Sequence, residues 1–389
     1  MSNERNTNDS SESSTAKEEV AITNFKESIQ RIRDHYYTRL DILMYKSAQN
    51  VLELGSSFRG QVLGLTNTLF RDLEIPKGVS LVSSGSFARS NHVEGSDFDW
   101  YLVSRGTSNE EPHVEAVQRA LMASNVRCDN DILPIPKQRW DGDMSKPHDD
   151  WGWGDSGNRS MFREGSSRGK CGCVTLEEAN KFYESDPFAY IGKIVGTLDI
   201  MHIAGDRAVT DEHKKLCATQ NSFIRWELID KLTKQMEGLN ERYPRKIGNN
   251  TKIDIKEDRG MIFHIHHIFW LLELLSEEFD QHWEENTIES RLEEFMDQEY
   301  LTEHEWREIV TTLSVYLVIR NHIVRVAAEK YAHPTGYEQK YDDFIANEVA
   351  ERMGFSTPQE LENVISKHAD GVVGVADAIA ARVRRSMSP

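Results

Sequence analysis

Cysteine is scarce in this chain, with four in 389 residues: Cys128, Cys171, Cys173 and Cys217. That number and scatter exclude the disulfide framework of a small secreted domain. Cys171-Gly-Cys173 has the look of half a metal site, but no second Cys or His pair stands nearby at zinc spacing. Long apolar runs are missing too. None approaches the ~20 residues of a membrane-spanning helix, and the N-terminus has no signal-peptide pattern. A cytoplasmic protein with no membrane partner is therefore expected. Positive charge is in deficit, with 46 Lys and Arg against 64 Asp and Glu, a net charge of −18. Such a balance argues against an extended nucleic-acid partner, whose phosphates need a basic surface. It leaves room for a local basic pocket that takes one nucleotide. No internal repeat stands out.

What remains, 38% hydrophobic and 28% charged residues, is the composition of a soluble globular protein with ample core. The opening "MSNERNTNDSSESSTAKEE" is polar and Ser-rich, so residues 1–20 are expected to form a disordered tail. From about 20 to 75 the pattern is helical, with Phe25, Ile29, Ile32, Tyr36, Leu40 and Leu43, then Val62 and Leu69, at three- and four-residue steps. Residues 79–84 and 98–103 read as strands, 110–124 as a helix, and 125–133 as a third strand closed by Pro134 and Pro136. The stretch 136–174 is rich in Gly and Asp, carries Trp140, Trp151 and Trp153, and shows no period. An aperiodic segment this long is expected to be a functional flap, ordered by itself or by a ligand. Helices follow at 176–185, 187–204, 211–242, 260–280, 285–297, 303–331, 337–353 and 357–385. The expected fold class is thus α+β. A short α/β unit spans 21–175, with helices at its front and the long loop inside it, and an all-α half spans 176–389.

The chemistry concentrates in "SLVSSGSFARSNHVEGSDFDWYLVS", residues 80–104. In a strand, residues i and i+2 point the same way, so Asp97 and Asp99 are expected to project together. Two like charges on one face repel unless water or a cation lies between them. Mg²⁺ takes oxygen ligands and is anchored by one or two carboxylates plus substrate phosphates. Gly85 permits a sharp turn, and Gly85-Ser86 offers backbone N–H groups and a hydroxyl to phosphate oxygens, with Arg89 close by. Turn for a triphosphate and acids for metals together suit transfer of a nucleotidyl group. The alternative is a surface hairpin with solvated acids.

At these residues the sequence resembles the polymerase-β-like nucleotidyltransferases. Within them "GSFARSNHVEGSDFDWYLV" is most similar to the bacterial PII uridylyltransferases, whose pattern is a Gly-Gly turn, an Arg, then Ser-Asp-x-Asp. Gly85, Arg89, Ser96, Asp97 and Asp99 stand at matching positions, Ser86 replaces the second Gly, and Asn91 stands where an acid is usual. The likeness runs on through "CGCVTLEEANKFYESDPFAYIGKIVGTLDIMHIAGDRAV", "LVIRNHIVRVAAEKY" and "YDDFIANEVAERMGF", covering about 50–385. In "NTKIDIKEDRGMIFHIHHIFWLLELL" Lys256, Glu257 and Gly260 survive from the family's pattern. Its second Gly and its Arg-Asp pair are replaced by Met261, Phe263 and His264. The hydrolase and paired regulatory regions of the full uridylyltransferases do not follow in this sequence, so de-uridylylation and glutamine sensing are not expected of it.

The resemblance implies a Mg²⁺- or Mn²⁺-dependent transferase in which Asp97 and Asp99 hold metal and Gly85, Ser86, Arg89 and Ser96 bind the NTP. Arg89 supports either the turn or a phosphate. Such enzymes generally carry a third acid on a neighbouring strand. Asp131 is the first choice and Asp129 the second, since Asp129-Asn130 also suits a turn. The acceptor is a hydroxyl on a protein, a small molecule or a second nucleotide, and the rival from another class is a non-catalytic interaction protein that kept the fold. The run His264, His266 and His267 reads as packing or hydrogen-bonding, with metal binding as the alternative, the pair Arg320-Asn321 as structural, with nucleotide contact as the alternative, and the basic end Arg382, Arg384 and Arg385 as solvated or favourable near a helix C-terminus, with RNA contact as the alternative.

Overall fold

The computed structural model of the chain describes residues 8–94, 96, 98–107, 110–124, 126, 172–185, 198–239, 245–247, 250–276, 286–330 and 340–387. Asp97, Asp129, Asp131, the expected third strand apart from Val126, and the 136–171 part of the long loop lie outside them.

Two long helices open the chain, α1 (Asn8–Asp41) and α2 (Asn50–Asp72). The helix α1 takes in residues 8–20, which composition placed in a tail. Good helix formers (Ala16, Lys17, Glu18, Glu19) carry it on, and Glu18 pairs with Arg119 of α4 (Glu111–Ala123). Strands β1 (Val79–Ser83) and β2 (Trp100–Ser104) form an antiparallel pair that joins Val79 to Ser104 and Ser83 to Trp100. A parallel strand, β3 (Gly172–Thr175), lies on the far side of β2, and an antiparallel one, β4 (Met201–Gly205), on the far side of β1. The order β3-β2-β1-β4 gives one mixed sheet.

Alternation sorts the strand residues to two faces. Val79, Leu81, Trp100 and Leu102 join the large core with α1, α2 and α4. Val82, Tyr101 and Val103 join a smaller core with α5 (Leu176–Ser185) and α6 (Arg207–Phe223). Both faces are covered, so every residue of β1 and β2 is buried.

The strand β4 corrects the expectation of a helix over 187–204. Its short apolar run, bounded by Gly205 and Asp206, satisfies either structure in isolation, and pairing with the otherwise open edge of β1 decides for the strand. Two further expectations are corrected. The expected helix 211–242 breaks at Ile224 between α6 and α7 (Arg225–Leu239). Residues 340–341 of the expected helix 337–353 form a short strand, β7 (Lys340–Tyr341), ahead of α11 (Ala346–Arg352). This strand completes a small antiparallel sheet with β5 (Arg245–Ile247) and β6 (Asn250–Asp254).

The remainder is helical: α8 (Ile262–Leu275), α9 (Ile288–Asp297), α10 (Glu303–Lys330) and α12 (Pro358–Met387). α8 is apolar on all sides and buried along nearly its whole length, as a helix at the centre of a core must be. Among the described residues α10 is long and apolar enough to cross a membrane, yet 83% of its apolar window is buried inside the fold. It is the spine of the helical half.

Candidate active site

Three chain segments meet at one end of the sheet: the exit of β1, the entry to β2 and the entry to β4. The turn after β1 is built on Gly85, whose φ of +70° lies in the left-handed region. A Cβ there would overlap the Asp99 carboxylate, so that side chain lies directly against the glycine. Ser84 N–H donates to the Asp99 carbonyl at 3.0 Å, closing the two strand ends together. Phe98 and Trp100 on either side of Asp99 are buried in the large core with ring centroids 4.9 Å apart. Strand parity therefore turns the half-buried Asp99 to the opposite side, toward the turn.

The short helix α3 (Gly85–Ala88) follows. Its last turn leads into Arg89, which is buried and ion-paired with Asp199, just ahead of β4. The same carboxylate accepts from Gly85 N–H through Oδ2 at 3.2 Å. Asp199 thus ties the turn to its own arginine. Through Asp199, Arg89 is linked to the turn residue Gly85. The Gly85 N–H expected to face a phosphate is engaged by Asp199. Burial pushes the Asp199 carboxyl up, against the pull of Arg89 and the Gly85 N–H. Its other oxygen, Oδ1, is buried without a hydrogen-bond partner. Asp199 was missed at the sequence level, although a signal existed: a single acid inside the apolar run "LDIMHIAG", which is costly unless paired.

The turn is braced from behind. Arg59 of α2 donates to the carbonyls of Ala88 (2.6 Å) and Asn286 (2.7 Å), and Ile288 N–H donates to the Arg89 carbonyl. His92 packs on Phe98 at 4.5 Å and on Phe58 at 5.6 Å, and Phe58 stacks on Tyr36 at 4.2 Å. Burial, reinforced by Arg320 and Arg33, lowers His92 to a pKa of about 3, so the ring is neutral at physiological pH. Ser86, half-buried, gives its carbonyl to Asn91 N–H.

The helical half closes over this segment. Arg320 Nη1 donates to Ser96 Oγ at 3.1 Å, on the residue before the first acid of the pair. Asn91 Nδ2 donates to His266 Nε2 at 3.2 Å. The Arg89 guanidinium lies over the Trp270 ring at 5.8 Å. Asn321, by contrast, is structural: it is buried and donates to Asp41 at the end of α1. The histidine run divides its labour. His264 Nδ1 accepts from Gly260 N–H in the turn before α8, His267 bonds the Phe263 carbonyl, and His266 meets Asn91. The terminal arginines Arg382 and Arg384 pair with Glu305 and Glu237.

Of the expected site residues, Gly85, Ser86, Arg89, Ser96 and Asp99 fall within one segment at the end of the sheet. Asp97, Asp129 and Asp131 lie outside the described residues. The strand that pairs with β2, β3, carries Gly172, Cys173, Val174 and Thr175 and no acid. Among the described residues no group of three or more His, Cys, Asp or Glu could hold a metal ion.

Residues 230–379 of the chain match the family described as GlnD PII-uridylyltransferase. The matched segment spans most of the helical half, from within α7 to within α12, and leaves the sheet with Gly85 and Asp99 outside it. No curated protein matches the chain.

Proposed function

We propose that the chain is a nucleotidyltransferase that moves an NMP group from an NTP to an acceptor hydroxyl, with release of pyrophosphate. The observation that carries this reading is the seating of the Asp99 carboxylate on the Gly85 turn. One half of the motif holds the phosphates and the other the metal, and here they touch. The match of the helical half to a uridylyltransferase family supports the same reaction class.

In this reading Asp97 and Asp99 hold Mg²⁺ or Mn²⁺. Hard carboxylate oxygens at a half-exposed position fit such an ion, whereas Asp199 does not, because Arg89 and Gly85 occupy it. The bound ion supplies charge neutralisation for the transferring phosphoryl group. The chain's own residues do the rest. The Gly85 turn and Ser86 position the triphosphate, and Ser96 positions the entry to the acid pair. The acceptor oxygen attacks the α-phosphorus, its proton passes to the third acid, and the α–β bridging oxygen leaves with pyrophosphate. Asp131, or Asp129, is the third acid. The acceptor best supported is a protein side-chain hydroxyl, as in uridylylation or adenylylation; small molecules and second nucleotides are the alternatives. A cytoplasmic setting and a single-nucleotide partner complete the reading.

A second reading has its own observation. Neither described neighbour of β2 bears an acid, and where the resembling family has an Arg-Asp pair this chain has Phe263, beside Lys256 and His266, and His264, which accepts from Gly260 N–H. A catalytically degenerate nucleotide-binding protein fits those facts. Incubation with each NTP and Mg²⁺ separates the two. Pyrophosphate release from the wild type, lost in Asp97→Ala/Asp99→Ala, supports the enzyme; NTP binding without pyrophosphate from any of the four NTPs, with cell extract as a source of acceptor, supports the degenerate protein.

A further inference from the structure

Between the Gly85 turn and Asp99 the chain passes through Ser90, Asn91, His92 and Val93, all buried, and then Glu94 and Ser96, both half-buried. Ser90 holds a left-handed φ of +61°, which a residue with a Cβ keeps only where its surroundings enforce it. The helix α1 takes one side of this connection: the Tyr36 hydroxyl donates to the His92 carbonyl at 2.5 Å. The helix α10 takes another, with Arg320 on Ser96. Ser96 N–H donates to the Val93 carbonyl at 3.0 Å, and Val93 N–H to Ser96 Oγ at 3.3 Å. These bonds close a tight turn whose second residue is Glu94.

Glu94 Oε2 lies 2.7 Å from Arg325 Nε on α10, and the same guanidinium pairs through Nη2 with Asp41, the last residue of α1, at 2.7 Å. Arg325 Nε and Asn321 Nδ2 both donate to Asp41 Oδ1, each at 3.1 Å. One cation thus serves two carboxylates from different segments, and those two repel each other. Asp34 adds to the repulsion on Glu94, and Arg33 adds to the attraction. The arrangement therefore has a sign. With Arg325 charged, Glu94 is drawn to the junction of α1 and α10. Without that charge Asp41 and Asp34 push Glu94 outward, and Arg33 opposes them. Glu94, Asp41 and Arg325 are between a quarter and a third exposed, so water screens this field only in part. A shift of Glu94 has a short path to the candidate chemistry. Ser96 follows two residues on and Asp99 five, and Asp99 meets the Gly85 turn through both its carbonyl and its carboxylate.

We infer that Arg325 is a positioning residue: by holding Glu94 against the end of α1 it sets the Val93–Ser96 turn and the approach of the chain to Asp99. The inference rests on the nucleotidyltransferase reading and deepens it. The helical half serves the reaction by fixing the segment between the Gly85 turn and the acids, and Arg325 itself is assigned no contact with nucleotide or metal.

The test follows pyrophosphate release against NTP concentration, with Mg²⁺ and cell extract as the source of acceptor. The proteins are the full chain as wild type, Arg325→Met, Arg325→Lys, Glu94→Gln and the double variant Arg325→Met/Glu94→Gln. Arg325→Met is expected to lower the maximal rate about ten- to a hundredfold, the range that a displacement of about 1 Å produces, with KM for the NTP within about threefold. Arg325→Lys, which keeps the charge, should retain most of the rate. The double variant should recover much of the loss, because the repulsion goes with the Glu94 charge, and Glu94→Gln alone should fall between wild type and Arg325→Met. Amide exchange over residues 92–101, measured without nucleotide, should quicken in Arg325→Met and slow again in the double variant. Arg307→Met breaks an exposed pair with Glu303 in the first turn of the same helix and, as the control, should match wild type. Thermal unfolding checks each fold; if Arg325→Met does not fold, Glu94→Gln decides, and a wild-type rate there overturns the assignment. Wild type that releases no pyrophosphate from any NTP overturns the nucleotidyltransferase reading and this one with it. With an active wild type, the positioning role alone is overturned if Arg325→Met works at the wild-type rate or if the double variant is no better than Arg325→Met.

Discussion

Arg89 and Asp199 form a buried ion pair across 110 residues of sequence, one just after the first helical turn beyond β1 and the other just before β4. Because Asp199 also receives Gly85 N–H, the pair fixes the backbone on which the candidate chemistry depends.

Breaking such a pair from one side strands a buried charge. Arg89→Met or Asp199→Leu alone is expected to cost about 3–5 kcal/mol, and the double replacement less than the sum. Urea unfolding of the four proteins measures this; strictly additive costs would show that the two charges do not depend on each other.

Gly85→Ala forces a side chain into the left-handed region and into the Asp99 carboxylate. The backbone term alone is about 1–2 kcal/mol, and the displaced carboxylate should remove nucleotide transfer altogether. Unfolding and pyrophosphate release on the same preparation test both halves; an active, stable Gly85→Ala protein would mean that Asp99 need not sit where it does.

Phe58→Ala removes the ring that joins Tyr36 to His92. A cost of about 3–5 kcal/mol is expected, visible as a fall in thermal midpoint. The segment after the turn should loosen as well, read as faster amide exchange around residues 87–93. Phe58→Leu, which keeps an apolar side chain, should recover most of both.

Several histidines are buried neutral. Burial holds His213 at about 4, and burial with nearby positive charge holds His264 at about 4 and His92 at about 3. Their unfolded value is about 6.5, so below that pH the unfolded chain binds protons that the fold refuses. Stability should fall as pH drops from 6.5 toward 4, by up to about 1.4 kcal/mol per pH unit for each histidine. His213→Gln, which replaces the partner of the Tyr101 hydroxyl, should take about one proton out of that slope. Urea midpoints measured between pH 7 and 4.5 provide the check, and an unchanged slope would mean that His213 titrates freely in the fold.

Much of the scaffold was legible because its signals are local. The strand pair was read as 79–84 and 98–103 and is found at 79–83 and 100–104; helix 303–331 is found at 303–330. Alternation around Phe98 and Trp100 announces which way Asp99 turns, and the need of Gly85 for a left-handed φ follows from the tight turn. The need of Asp199 for a partner was legible, but its place at the end of the sheet was not. A run such as "LDIMHIAG" fits a strand or a helix, and the choice rests on an open edge of β1 far away in sequence. The division of work among His264, His266 and His267 was likewise hidden, since their spacing cannot say which ring meets Gly260 and which meets Asn91. Arg320 and Asn321 are neighbours in sequence, yet one reaches Ser96 and the other the end of α1, because a helix sends successive residues in different directions.

The return of the chain to β1 as β4 has a consequence for synthesis on the ribosome. The turn at Gly85 emerges early, but its lock, Asp199, and the strand that anchors it are translated more than a hundred residues later. At roughly 5–20 residues per second, the nascent hairpin spends several seconds with one edge of β1 unpaired and Arg89 without its counter-ion. Such late, non-local closure slows folding and exposes an edge that invites pairing with other chains. A product truncated before residue 199 would keep both the open edge of β1 and an Arg89 without Asp199.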